Sequence, residues 1–178
     1  MAELHILGQL HSSSHFSENS SLFCRYSFQA GSNWTVVSGF SEGQTLSGKP
    51  EHSQIVIWSH PLDIHFVTKG IQGWPKIVLQ VSCLDSLGRS WIIGYGCCNV
   101  PIVPGCHFIQ VPCWLPAPTT LIDKVKQYFI GGSHQLLHSD IIDLGTDRFK
   151  LRTLSNGSIK LVLDIIVRRF SQFGLEYK

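Results

Sequence analysis

Charged side chains are scarce in this chain. Asp, Glu, Lys and Arg make up 15% of its 178 residues, against about 25% in ordinary soluble domains. The 14 Lys and Arg against 12 Asp and Glu leave a formal net charge of +2. Nucleic-acid binding calls for clustered cations facing phosphates, so nucleic acid is not expected among the partners. With so few charges the exterior must be filled by uncharged polar and apolar groups, the composition of a subunit that meets partners. Long apolar runs are lacking as well. Uninterrupted stretches such as Ile92-Ile93 or Leu161-Val162-Leu163 fall far short of the ~20 residues of a membrane-spanning helix. The opening Met1-Ala2-Glu3-Leu4-His5 has neither a basic region nor an apolar core before Ser12, which argues against a secretory leader and for a reducing compartment. The six cysteines (Cys24, Cys83, Cys97, Cys98, Cys106 and Cys113) are therefore expected as free thiols. Glycosylation-type matches at Asn19, Asn33 and Asn156 carry no weight in that setting. Catalytic signatures are missing too: no G-x-S-x-G elbow, no phosphate-binding loop, no dinucleotide fingerprint. Neither an enzymatic activity nor a cofactor is expected, and the length suits a single domain over 1–178.

What is present is mostly strand signal. Leu4, Ile6, Gly8 and Leu10 alternate with polar residues and predict a strand over 3–10, before a serine-rich loop from Ser12 to Ser21. Strands follow over 22–28 and 34–37, then a loop from Ser41 to Pro50. Ile55–Trp58 and Leu62–Val67 read as two strands separated by His60-Pro61, and 76–84 as a long, central apolar strand. Trp91–Val100 is a further strand in which Gly94 and Gly96 leave room for a bulge or a close neighbour. Prolines 101, 104, 112 and 116 bracket 107–111 as an edge strand or one ended by bulges. Residues 119–130 predict an amphipathic helix, with Leu121, Ile122, Val125, Tyr128 and Phe129 on one face. Asn156-Gly157 between 149–153 and 159–167 predicts a closing hairpin. The fold class is all-β: an antiparallel sandwich of about eight strands with one short helix.

Three constellations invite chemistry. Cys97-Cys98, Cys106-His107 and Cys113 supply zinc-type ligands, but adjacent strand residues face opposite ways and no C-x-x-C knuckle is present, so buried thiols and no metal are expected. His60, Asp63 and His65 could act as an acid–base pair or a metal site, with Asp63 and His65 on one strand face. No nucleophile motif accompanies them, and an ordinary polar face is preferred. Asp140, Asp143 and Asp147 form the only loose acidic group, without the D-x-D pair of a calcium cage. The tryptophans at 34, 58, 74, 91 and 114 are expected in the core, with Trp74 as a fixed corner.

The stretch Trp58-Ser59-His60-Pro61-Leu62-Asp63-Ile64-His65-Phe66, with Lys69-Gly70, Gly73-Trp74-Pro75 and Gly94-Tyr95-Gly96, resembles the B9-domain proteins of the ciliary transition zone. The opening Ala2-Glu3-Leu4-His5-Ile6-Leu7-Gly8-Gln9 and the run from Phe129-Ile130-Gly131-Gly132 to Leu136-Leu137-His138 extend the resemblance over essentially the whole chain. It implies a divergent C2-like β-sandwich without calcium carboxylates and a non-enzymatic role as a scaffold subunit of the Meckel-syndrome, tectonic-like complex. That module gates membrane-protein entry into the cilium and serves its assembly. Implied partners are two B9-domain relatives and tectonic-type and other transition-zone proteins, and the implied location is cytoplasmic, at the basal body and transition zone, cytoskeleton-associated. The family offers no catalytic residues. Its motif positions, here His60, Pro61, Asp63, Gly73, Trp74, Pro75, Gly94, Tyr95 and Gly96, are expected to determine the fold. The alternative implied by a C2-like fold is a calcium-independent lipid-binding module, with the membrane surface met by Lys124, Lys126, Arg168 and Arg169.

Overall fold

Alternation along the first strand, β1 (Ala2–Ser14), buries Ala2, Leu4 and Ile6 and turns Glu3 and His5 to the opposite face. The computed structural model describes residues 1–18, 20–50, 54–117 and 152–174. It continues with β2 (Ser21–Gln29), β3 (Trp34–Gly39), β4 (Glu42–Gln44), β5 (Ile55–Thr68), β6 (Lys76–Leu84), β7 (Ser90–Asn99), β8 (Gly105–Pro116) and β9 (Thr153–Arg168), then a 3-10 turn, Phe170–Phe173. The nine strands form one antiparallel sheet in the order β3-β5-β1-β9-β8-β7-β6-β2-β4. The sheet curls on itself, in keeping with a C2-like sandwich. β8 is the corner: it pairs with β9 along its length, but its ladder with β7 consists of the single pair Tyr95 and Trp114. Between the two halves lies the core, with Leu4, Ile6, Ile64 and Leu163 from one side and Cys24, Ile77, Leu79 and Val81 from the other. β6 is buried on both faces, and Val78 joins Ile92, Tyr95 and Trp114 in a second cluster.

Several expectations change. β1 runs four residues past its predicted end because Ser12, Ser13 and Ser14 pair with β5 and β9 on either side; the ladder uses backbone groups, and the serine composition does not prevent it. The predicted loop 41–50 contains β4, paired with Arg25, Tyr26 and Ser27 of β2. His60-Pro61 does not divide the chain. β5 continues through it as one strand, bent at Ser59, whose φ is 46°. Proline is tolerated there because β3 pairs only with residues 64–68 of β5, so the missing N–H falls where β5 is a sheet edge.

The closing hairpin is also absent. β9 runs straight through Asn156-Gly157, which together oppose Cys113 where the β8–β9 register shifts. Gly157 has φ 71°, so the dipeptide supplies the positive φ of a bulge, not of a turn. The Phe16 ring occupies the space that a Cβ at Gly157 would need. The predicted helix 119–130 and the acidic group at 140–147 lie outside the described residues.

Candidate functional site

The thiols do not assemble. All six cysteines are free, and among the described residues no group of three or more His, Cys, Asp or Glu side chains is placed to hold a metal ion. Burial pushes the thiols of Cys98 and Cys113 up to about 12 and raises Cys24 as well, the reverse of what a nucleophile or metal-binding thiolate needs. Cys106 is exposed, yet its hydrogen bond to the neighbouring Asp164 carboxylate also raises it.

His60, Asp63 and His65 are separated by the sheet. His60 turns inward, its ring 5.5 Å from that of Tyr26. Asp63 and His65 share the outer face, where Asp63 accepts a 2.9 Å hydrogen bond from Nε2 of His5 on β1. His5 stacks on His65 with centroids 5.1 Å apart, His65 lies 3.9 Å from the Glu3 carboxylate, and Arg168 lies 3.6 Å from it. The result is a row of paired polar groups on an open sheet face. None of the residues that form it carries a hydroxyl or thiol nucleophile.

Gly73-Trp74-Pro75 forms a corner. The Trp74 indole N–H donates to the carbonyl of Val100 at 2.9 Å, and Val100 N–H donates to the Pro75 carbonyl at 3.1 Å. The indole meets Trp34 edge to face at 5.1 Å and Phe170 at 5.7 Å. Gly73, at φ 73°, lies against the backbone of Gly31, whose N–H donates to its carbonyl at 2.8 Å. Entry to β3, entry to β6, exit from β7 and the C-terminal turn thus converge on one indole. Gly94 and Gly96 receive Phe16, Cys113 and Val111 in the space their missing side chains leave, while Tyr95 packs on Trp114 at 5.7 Å. Lys124 and Lys126 lie outside the described residues. Arg168 shares its charge with Glu3, and Arg169 is exposed in a left-handed conformation.

Sequence reasoning expected apolar groups on the exterior but named none of them. Val36, Val37 and Phe40 protrude along and just beyond β3, and Ile57 and Phe108 protrude from the outer face of β5 and β8. Each reads locally as a core residue, and only strand register shows which side it faces. Phe170, beyond the last predicted strand, was missed as a partner of the Trp34–Trp74 pair for want of any periodicity around it.

Residues 4–166 match the family model described as "Ciliary basal body-associated, B9 protein". The chain is 44% identical over 176 residues to B9 domain-containing protein 2 of Bos taurus, covering 99% of each chain. It is 36% identical over 178 residues to the Drosophila melanogaster protein of the same name, covering 100% of each. B9 domain-containing protein 1 of Mus musculus is 30% identical over 175 residues, covering 97% of this chain and 85% of that one.

Proposed function

Because the chain belongs to the family of ciliary basal body-associated B9 proteins, we propose that it acts there as a non-enzymatic scaffold subunit that binds two B9-domain relatives. The complex is of the tectonic-like, Meckel-syndrome kind at the transition zone, with tectonic-type membrane proteins among its members. Its work is cilium assembly and the barrier to membrane-protein entry. The chain serves it from the cytoplasmic side as one domain, its motif residues holding the fold. The match over residues 4–166 carries this reading. Two features of the molecule support it. Polar groups on the outer face of β5, β1 and β9 are largely paired with one another. Large apolar side chains such as Val37, Phe40 and Phe108, by contrast, stand in solvent. Recovery of the tagged full-length chain from ciliated cells under mild conditions is expected to bring both relatives with it. Absence of both from the recovered complex contradicts the reading.

A further inference from the structure

Arg168-Arg169 is the only place in the sequence where two cations are adjacent, and no Asp or Glu occurs between residues 165 and 175. Both guanidinium groups reach solvent. Arg168 is 66% exposed, with the Glu3 carboxylate 3.6 Å away, and Arg169 is exposed as well. Two residues beyond Arg169 stands Ser171, exposed in the turn Phe170–Phe173. A serine that follows paired arginines by two and three residues carries the charge pattern that arginine-directed protein kinases read, because their peptide clefts set carboxylates against the two cations.

Backbone ties around the serine are few. β9 pairs with β8 as far as Ile165 and with β1 as far as Arg168. Beyond that pair the turn is closed by Gly174 N–H, which donates to the Ser171 carbonyl at 3.0 Å. Phe170, 2% exposed against Trp34 and Trp74, anchors it to the sheet. Arg169 is a non-glycine residue in the left-handed region, at φ 61°, so leaving the turn relieves backbone strain. A kinase cleft takes its substrate extended, and Ser171 is therefore read when Phe170 leaves the corner. Residues 169–174 then swing out from the end of β9, a local opening that leaves the core strands closed.

We propose that Ser171 is a phosphorylation site for an arginine-directed protein kinase, gated by the docking of Phe170. Ser171 Oγ attacks the γ-phosphorus of ATP, the hydroxyl proton passes to the kinase's carboxylate base, and ADP leaves with the electron pair of the broken P–O bond. The phosphate brings a charge of about −1.5 to −2 beside Arg168 and Arg169. There it competes with Glu3 for Arg168 and reverses the net charge of the three side chains. The test incubates the folded full-length chain with ATP, Mg²⁺ and the catalytic subunit of cyclic-AMP-dependent protein kinase, and follows intact mass and phosphopeptides over time. One phosphate at Ser171 is expected, and none at that position in Ser171→Ala. Arg169→Gln is expected to slow the transfer about tenfold, the loss of one charge-assisted contact, with an unchanged thermal melt. Phe170→Ala is expected to speed it about tenfold or more, because the turn no longer docks. A wild type that takes up no phosphate overturns the site. So does phosphate that persists in Ser171→Ala, or a rate indifferent to Arg169→Gln. A folded Phe170→Ala that reacts no faster than wild type overturns the gate.

Discussion

Trp74 shows how one side chain can tie distant parts of a sheet. Its ring fills the corner between Trp34 and Phe170 and its N–H holds Val100, so the two contributions separate by substitution. Trp74→Phe keeps most of the packing and removes the donor, a loss of about 1 kcal/mol. Trp74→Ala empties the corner as well and is expected to cost about 3 kcal/mol or more, both read from urea unfolding midpoints. Cys113 offers a pH-dependent counterpart. Its folded thiol is raised from 9.0 to about 12 by burial, whereas the unfolded chain ionises near the ordinary value. The unfolded state therefore releases its proton first, and stability is full below pH ~9 and falls as pH rises toward ~12, by at most about 1.4 kcal/mol per pH unit for this thiol. Urea midpoints followed from neutral to alkaline pH are expected to fall less steeply in Cys113→Ala. An unchanged slope would show that the thiol titrates alike in both states.

Among the strands, the bulge in β9 is the informative element. Asn156 donates to the carbonyl of Ile93 at 2.7 Å, bridging β9 to β7 where β8 alone does not hold them together. Asn156→Ala leaves that carbonyl short of a partner and is expected to cost about 1–2 kcal/mol. Gly157→Ala meets both the positive φ and the Phe16 ring and is expected to cost about 1–3 kcal/mol, measured by chemical denaturation. Exposed hairpin turns would tolerate the first change with little effect. Asn-Gly reports only that positive φ is easily reached, and bulge and turn use that property equally. Pro61 likewise reports a missing donor, not whether the strand ends or runs along an edge. β1, β2 and β6 were legible because alternation or a continuous apolar run is itself the consequence of facing a core. The outward face of Ile57 was not. The register shift between Leu10 and Ser12 reverses the parity of β1: odd residues share the outer face before it, and after it Ser12 and Ser14 pair with the exposed Ile57 and Ile55 while Ser13 pairs with the buried Val56.

At the scale of the whole molecule, the sheet of described residues ends on β3 and β4. β3 exposes five consecutive residues from Thr35 to Gly39, with Val36, Val37 and then Phe40 in solvent. Between Trp34 and Phe40 there is no charge and no proline, the usual devices that keep a sheet edge from pairing with another chain. The scarcity of charge that marks the composition thus extends to a strand whose outer backbone row has no partner strand among the described residues. β5 beside it is guarded by Pro61 and by the bend at Ser59, so the unprotected length is β3 itself. An edge of this kind persists most readily in a protein that spends its life covered by a partner. Isolated chain is therefore expected to self-associate with rising concentration in sedimentation velocity. Val37→Lys, a change at a side chain 58% exposed, is expected to restore the monomer while leaving unfolding stability within about 0.5 kcal/mol. A wild type that stays monomeric throughout the accessible concentration range would mean that the bulge at Val37 twists the edge enough to protect it without a charge.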